Sequence, residues 1–314
     1  MANAQTSGRT WDFGPIPYEP MPYQWLKRYE GLIKASKEWD LKIIYENIHY
    51  AFQPSIISKL EKFTFFTEYD CSPNKWLELL IESEYGHKNK EKVSKAFELF
   101  SEAITYYPAT NEDQYGTWRT GPSYPFWLTD PRIGLNPIPE DGRPPITKFD
   151  AKRWYFGWYT PDIAGRNSLP GVRIFDEIEL ITKMRELFIK GFNLLNEIDN
   201  ENVNLLKLKA LLKFMINSST TTINFKNLYI KMQRLSVIGD KEKANEILNE
   251  VEELLICERK NAEDTISAVQ VDSRLGWEAQ QDYVCNEDAL KWKIRQIDHE
   301  LNFTLKKFRN SNSL

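Results

Sequence analysis

The sequence predicts a mainly α-helical fold, in which a small α/β segment precedes a helical domain with a long ordered loop. Apolar residues recur at helical spacing over most of the chain after residue 73. Near the N-terminus, a β-branched and aromatic run at 41–52 lies between two helical patterns, as in a parallel α/β unit. Between 107 and 170 the periodicity is lost, and ten of the sixteen prolines lie there. We therefore divide the chain into an α/β segment, 1–70, and a helical domain, 71–314, whose long loop spans 107–172.

The composition argues against several functional classes. A net charge of −4 gives no electrostatic basis for binding nucleic acid or an anionic membrane. Cys71, Cys257 and Cys285 show no metal-ligand spacing and no CxxC motif, so we expect free thiols, no metal and no cofactor. There is no signal-peptide pattern, and no apolar run approaches the length of a membrane span. We expect a cytoplasmic protein with no nucleic-acid or membrane partner.

The α/β segment begins with extended backbone, because 11–23 (WDFGPIPYEPMPY) contains four prolines. An amphipathic helix is predicted at 24–39 and a buried strand at 41–52. A further helix is predicted from about 54 to 66, opened by proline and serine. This succession of helix, strand and helix is what a parallel α/β unit requires.

Polar side chains follow the predicted strand. Its carboxyl end carries Glu46, Asn47, His49 and Tyr50. In parallel α/β units this end of a strand is where ligands and catalytic groups are placed. The alternative is that Glu46 is a carboxylate at a strand edge and that His49 is a packed or surface histidine.

The rest of the chain is dominated by helical patterns. One of them, 88–107, places Val93, Phe97, Phe100 and Ile104 on one face, which we expect to be core. The run NSSTTTINF (217–225) has poor helix propensity and predicts a kink or a break. The remaining helical patterns lie at 73–86, 175–198, 203–216, 225–238, 239–265 (capped by Asp240) and 289–308.

A second irregular stretch, 267–288, interrupts the helical pattern with polar residues beside a tryptophan. The residues concerned are Asp272, Arg274, Gly276, Trp277 and Glu278. They form either a surface anchor or an intramolecular clasp, such as Arg274 with a carboxylate. We favour the clasp, because bidentate arginine pairs commonly fix a loop onto a neighbouring helix.

The long loop is predicted to be ordered, because disordered segments are poor in aromatic residues and this one contains Trp118, Trp127, Trp154 and Trp158. The chain has no phosphate-binding glycine loop, dinucleotide fingerprint or nucleophile elbow. After these exclusions, the candidate functional groups are carboxylates, amides and aromatic rings. Carboxylates and amides can bind the hydroxyls of a carbohydrate, and aromatic rings can pack on its C–H faces. Glycoside hydrolysis also uses two carboxyl groups. Alternatively, the tryptophans only join the loop to the helical scaffold.

Several phrases of the sequence carry a resemblance to a known group of proteins. These phrases are WDFGPIPYEPMPYQWLKRY, ENIHYAFQPSIISKLEKFTFF, GPSYPF and VDSRLGWE. The chain resembles the C-terminal part of large bacterial glycoside-hydrolase-like proteins, which have a (β/α)-barrel of the β-N-acetylhexosaminidase or α-glucuronidase type followed by a helical domain. The resemblance implies that 11–66 is the end of an N-terminally truncated barrel. It also implies a partner, either the missing barrel portion or another chain. The hexosaminidase-type Asp-Glu pair is not visible in this sequence.

The expected function is a contribution to carbohydrate binding or hydrolysis, with a carbohydrate as the ligand. If the protein is an enzyme, it is a glycoside hydrolase and Glu46 is the catalytic candidate. The predicted substrate-binding residues are Trp11, Asp12, His49, Tyr50, Asn111, Glu112, Asp113, Gln114, Tyr115, Trp118, Arg119 and Trp127. The alternative function is a non-catalytic helical module that binds carbohydrate or protein. A third possibility is a purely structural remnant, in which the loop is buried against the helices.

Overall fold

A computed structural model of the chain describes residues 2–4, 13–46, 54–66, 71–110, 116–128, 170–199, 202–278 and 282–312. Over these residues the protein is mainly helical, as predicted. The helices are α1 (Pro22–Trp39), α2 (Ile56–Phe65), α3 (Pro73–Tyr85), α4 (Lys90–Ala103), α5 (Thr117–Thr120), α6 (Pro170–Asn196), α7 (Val203–Val237), α8 (Lys241–Val271), α9 (Glu287–His299) and α10 (Leu305–Asn312). None of the helices in the described ranges is both long enough and apolar enough to cross a membrane.

The strands form two small sheets. Strand β1 (Ala2–Ala4) pairs in parallel with β2 (Ile44–Glu46), and Ala4 lies opposite Glu46. Parallel strands need a crossover connection, and here that connection contains α1. Strands β3 (Trp277–Glu278) and β4 (Asp282–Tyr283) form an antiparallel pair. Of the buried strand predicted at 41–52, residues 44–46 are observed as a strand, and 47–53 lie outside the described residues. The prediction is wrong at 41–43, which belong to no strand and include the exposed Ile43.

Local signals explain where several helices begin and end. The side chain of Ser55 accepts a hydrogen bond from the backbone of Ser58, which closes a capping box at the start of α2. The side chain of Ser72 accepts a hydrogen bond from the amide of Lys75 at the start of α3, and Gly86, with a φ of 89°, ends this helix. Asp240 accepts hydrogen bonds from two backbone amides at the start of α8, which confirms the predicted cap.

The sequence predicts a kink or a break at 217–225, and the break is wrong, because α7 continues through this run as one helix of 35 residues. The hydroxyls of Ser218 and Ser219 each donate to the carbonyl four residues earlier, at 2.9 Å. Thr220 and Thr222 do the same, at 2.9 and 3.0 Å. Hydroxyl groups satisfied in this way can be buried inside a helix bundle. Tertiary packing therefore outweighs the weak intrinsic propensity of the run.

Buried apolar side chains form two clusters. The larger cluster joins Phe13, Trp25 and Ile57 of the N-terminal part to α3, α4, α6 and α7. As predicted, Val93, Phe97 and Phe100 lie fully inside it, and Ile104 packs against it. The smaller cluster surrounds Tyr124, Phe126 and Leu128, between α7, α8 and the C-terminal helices. Residues on both sides of position 70 thus share one core cluster, and the domain boundary proposed there stays a prediction.

Candidate functional site

The central segment, which we define as residues 116–128, runs through the interior of the protein. Each of its residues is buried. Helix α5 and a 3₁₀ turn (Gly121–Ser123) form its first half, and residues 124–127 belong to no helix or strand. A buried segment without regular structure must satisfy its backbone polar groups in another way. The side chains that do so define this site.

The first contact is an ion pair between Arg119 and Glu278. The guanidinium lies 3.3 Å from the carboxylate, and the two side chains are 2% and 0% exposed. It joins the central segment to strand β3, and so connects the phrases TWRTGPSYPF and VDSRLGWE. A buried pair of this kind contributes little net stability but is costly to disrupt on one side only.

A second pair, Arg274 with Asp272, confirms the predicted clasp. The guanidinium donates to both carboxylate oxygens at 2.7–3.2 Å, and it also donates to the carbonyl of Pro54 at 3.0 Å. Burial raises the pKa of Asp272, but the hydrogen bonds and charge of Arg274 outweigh this and lower it. The clasp therefore fixes the 272–278 turn to Pro54, two residues before the start of α2.

Gly276 connects this turn to the N-terminal prolines. Its amide donates to the carbonyl of Pro15 at 2.7 Å, and its carbonyl accepts from the amides of Val284 and Cys285. Its φ is 83°, and a Cβ here would lie 2.1 Å from the carbonyl oxygen of Cys285. Only glycine fits this position without displacing backbone. Three separate phrases of the sequence, 13–16, 116–123 and 272–278, therefore meet here.

The N-terminal phrase packs directly on the central segment. The ring of Phe13 lies 4.7 Å from that of Trp118, edge to face. A Cβ added to Gly14 would lie 3.1 Å from the Cα of Arg119, so the two backbones are in close contact. The side chain of Ser123 donates to the carbonyl of Val284 at 2.6 Å and completes the junction.

Helix α9 and the turn after it bind the backbone of the central segment through three buried side chains. Lys293 Nζ donates to the carbonyl of Pro122 at 2.7 Å. Gln296 accepts from the amide of Phe126 at 3.1 Å and donates to its carbonyl at 2.5 Å. Glu300 accepts from the amide of Leu128 at 3.2 Å. These side chains make hydrogen bonds to backbone groups of the segment that a neighbouring strand would make in a sheet.

Lys293 also forms an ion pair with Glu258 of α8, and both side chains are fully buried. The same carboxylate accepts from Thr221 at 2.6 Å and from Asn224 at 2.7 Å, both on α7. Burial lowers the pKa of Lys293, and the charge of Glu258 opposes that shift. The charge pair is thus embedded in a network of neutral donors, which is how buried charges are tolerated.

Two further groups have pKa values shifted by burial. The pKa of Glu300 is raised to about 7. The pKa of the Cys285 thiol is raised to about 12. A thiol of this kind is protonated at neutral pH, so Cys285 is a packing residue and not a nucleophile.

Three predicted site residues lie in the central segment, and all three are buried. Trp118 packs between Phe13 and Tyr107, while Trp127 lies edge to face with Trp292 at 5.8 Å. Arg119 forms the ion pair described above. These side chains contact other protein groups, and their role as sugar contacts stays a prediction.

Of the other predicted site residues, only Glu46 lies within the described residues. Glu46 is the last residue of β2, at the carboxyl end of the parallel pair, as the sequence predicts. The remaining predicted site residues lie outside the described residues: Trp11, Asp12, His49, Tyr50, Asn111, Glu112, Asp113, Gln114 and Tyr115. The prediction that the loop is ordered can likewise be examined only at 107–110 and 116–128.

The buried polar side chains of the helical domain are not predicted by the sequence pattern. Glu258, Lys293, Gln296 and Glu300 were all within predicted amphipathic helices, where charged residues are normally assigned to the solvent face. One signal was present for Lys293. It lies three residues after Leu290 and four before Ile297, which places it on the apolar stripe of α9.

The polar groups of this site are arranged to pair with one another and with backbone. Within the part of the chain that the structure describes, no group of three or more His, Cys, Asp or Glu residues could hold a metal ion. No protein-family model matches the chain, and searches of curated proteins and of solved structures found no match. The site holds an irregular aromatic segment in place, and it shields two cations, Arg119 and Lys293, and their carboxylate partners from water.

Proposed function

We propose that the chain is the C-terminal region of a glycoside-hydrolase-like protein and that it contributes to carbohydrate binding or hydrolysis. The observation that carries this proposal is the parallel pairing of β1 and β2 with α1 in the connection. Two parallel strands joined through a helix are also the arrangement that (β/α)-barrels repeat, and this likeness supports the proposal. Glu46 ends β2, at the edge where such folds place ligands and catalytic groups.

A second observation supports a common location for the predicted substrate-binding residues. Phe13 and Gly14, which follow Trp11 and Asp12 in the chain, pack on Trp118 and Arg119. Residues 116–119 in turn follow the predicted run 111–115. The described residues that follow each predicted group in the sequence, 13–14 and 116–119, are therefore in contact. Our proposal is that both groups contribute to one carbohydrate-binding surface.

In this proposal, Glu46 supplies one carboxyl group and the partner supplies the other. Glycoside hydrolysis uses two carboxyl groups on either side of the scissile bond. A two-stranded parallel sheet is too small to be stable by itself, so the missing barrel portion or another chain is the partner we propose. Binding by this chain alone is expected to be weaker than binding by the assembled protein.

The proposal is tested first by binding. The purified chain is screened on a glycan array, and positive oligosaccharides are measured by calorimetry with the wild type, Glu46→Gln and Glu38→Gln. Glu38 is an exposed residue of α1 and serves as the control. We expect Glu46→Gln to lose about tenfold in affinity, equivalent to one hydrogen bond to a charged group, and Glu38→Gln to be unchanged. Absence of glycan binding, or equal affinities for all three proteins, would contradict the proposal.

One observation favours the third possibility, a purely structural remnant in which the loop is buried against the helices. Residues 116–128 of the aromatic loop are buried and are held by side chains of the helical domain. In the binding and hydrolase candidates, other parts of the chain must therefore supply the exposed contacts to a ligand. Assays with 4-nitrophenyl glycosides separate the candidates. Glycan binding without turnover supports the module, whereas turnover that is lost in Glu46→Gln supports the hydrolase.

A further inference from the structure

One edge of the N-terminal sheet has no partner strand among the described residues. The sheet there consists of β1 and β2, and β1 pairs with one side of β2. Alternate backbone amides and carbonyls of a strand are directed to each of its two sides, so β2 presents hydrogen-bonding groups on its other side. Such an edge is a template for pairing with another chain, and two strands alone are marginally stable. The second side of β2 is therefore a candidate docking edge.

Exposed apolar side chains lie beside this docking edge. Ile43, next to β2, is 56% exposed, and Trp39, the last residue of α1, is 79% exposed. Charged residues stand beside them, and Lys42 Nζ lies 2.5 Å from a carboxylate oxygen of Asp40. Both of these charged side chains are about three-quarters exposed. An exposed ion pair contributes little to stability, so Lys42 can exchange its partner at low cost.

The sequence at this edge is complementary to itself in the antiparallel direction. The five residues KIIYE run from Lys42 to Glu46. When Ile44 lies opposite the same residue of a second copy, Lys42 lies opposite Glu46, and Ile43 lies opposite Tyr45. Pairs of opposite charge and pairs of an aromatic with a β-branched residue are cross-strand combinations that stabilise an antiparallel sheet. A second copy of the chain therefore matches this edge in both charge and shape.

We propose that two copies of the chain pair through the docking edge, with β2 antiparallel to β2 of the second copy and a two-fold axis at Ile44. Pairing extends β2 to residues 42 and 43 and forms a four-stranded sheet in the order β1, β2, β2, β1. A two-fold contact uses the same surface on both copies, so it requires self-complementarity. The charges also select the register, because a shift that places Asp40 opposite Glu46 brings like charges together.

This inference goes beyond the proposed function, which leaves the partner open, and it does not depend on carbohydrate binding. A pair of five-residue strands with a few exposed side chains is a small interface. We therefore expect a reversible dimer with a dissociation constant on the order of 1–100 µM. The glycan-binding assays described above test a different property, so failure of one proposal leaves the other open to its own test.

Sedimentation velocity of the intact chain tests the pairing over concentrations from about 5 to 500 µM. The proteins compared are the wild type, Lys42→Glu, Glu46→Lys and the control Lys27→Glu, which reverses an exposed lysine in the first half of α1. We expect the wild type and the control to dimerise alike. Each of the other two variants places two pairs of like charges in the interface, so its dissociation constant should rise about tenfold or more.

Mixing the two variants tests the register itself. In a mixed dimer of Lys42→Glu with Glu46→Lys, residue 42 of each copy again lies opposite a residue 46 of opposite charge. An equimolar mixture is therefore expected to dimerise at least as tightly as the wild type. The proposal is overturned if the wild type is monomeric throughout, if either single variant dimerises as the wild type does, or if the mixture stays monomeric.

Cross-linking provides a second measurement should a charge variant fail to fold. The two-fold axis brings residue 44 of the two copies together, within about 5.5 Å between Cβ atoms, so Ile44→Cys should form a disulfide between copies under mild oxidation. The controls are Lys27→Cys and the wild type, in which Cys257 is exposed. A covalent dimer that forms no faster from Ile44→Cys than from the controls would overturn the pairing.

Discussion

The guanidinium of Arg119 lies 3.3 Å from the carboxylate of Glu278, although the two residues are 159 positions apart in the sequence. Both side chains are buried, so this contact fixes the central segment to the 272–278 turn without exposure to water. The same turn is joined to Pro15 through Gly276 and to Pro54 through Arg274. One short turn therefore holds three otherwise separate parts of the chain together.

Removing one partner of this pair should be costly. We expect Glu278→Ala to lower the free energy of unfolding by about 3–5 kcal/mol, because it leaves the buried guanidinium without its carboxylate. The measurement is urea denaturation followed by circular dichroism. The control is Glu179→Ala, which removes an exposed partner of Lys183 and should leave the midpoint unchanged. A loss below about 1 kcal/mol would show that the pair is not a buried ion pair.

The backbone at Gly276 should tolerate no side chain. Gly276→Ala places a Cβ 2.1 Å from a backbone oxygen at a φ of 83°, and we expect a loss of about 2 kcal/mol or more in unfolding free energy. Gly239→Ala is the matched control, because a Cβ there meets nothing within 4 Å. That substitution should be neutral or slightly stabilising. Equal stability of the two variants in denaturant titrations would disprove the close contact.

Substitution of two lysines of α9 that are two residues apart should lower the free energy of unfolding by very different amounts. Lys293→Met removes the cation from buried Glu258 and the donor from the carbonyl of Pro122, so a loss of about 3–5 kcal/mol is expected. Lys291→Met changes an exposed lysine that pairs with Glu287 and should not alter the denaturation midpoint. Thermal and urea unfolding of both variants would check this. Similar stability for the two would contradict the buried network.

Stability should depend on pH through Glu300. The pKa rises from 4.5 to about 7 on folding, and about 1.4 kcal/mol per pH unit converts this rise to about 3 kcal/mol. This contribution is complete below pH 4.5 and is lost as the pH rises through 7. Glu300→Gln should match the wild type near pH 4.5 and be more stable by up to about 3 kcal/mol above pH 8. If the unfolding free energies of the wild type and Glu300→Gln differ by the same amount at every pH, the result argues against a raised pKa of Glu300.

Much of the helical fold could be predicted from local chemistry. The Asp240 cap and the apolar face of Val93, Phe97 and Phe100 depend on residues close in sequence, and the structure confirms them. The clasp of Arg274 was also predictable, because Asp272 is only two residues away. Such features require no knowledge of the tertiary fold.

The polar contacts between elements that are far apart in the sequence could not be predicted in the same way. The run 217–225 is helical because its hydroxyls bond within α7 and to Glu258 and Thr117 on other elements. The burial of Arg119 likewise depends on Glu278, far away in sequence. These partners are brought together only by the complete bundle, so residue type and spacing alone did not reveal them. Whether Glu46 and the 111–115 run serve a carbohydrate stays a prediction.

The contacts of the central segment also constrain how the protein can be made in a cell. The partners of Arg119, Ser123, Phe126 and Leu128 lie 159 to 172 positions further along the chain. While synthesis proceeds from residue 128 to residue 300, the ribosome has exposed a run of aromatic residues whose final partners do not yet exist. Long-range contacts of this kind form slowly, and unpaired apolar segments are where partly made chains aggregate. The nascent chain is therefore expected to depend on chaperones until α9 has emerged.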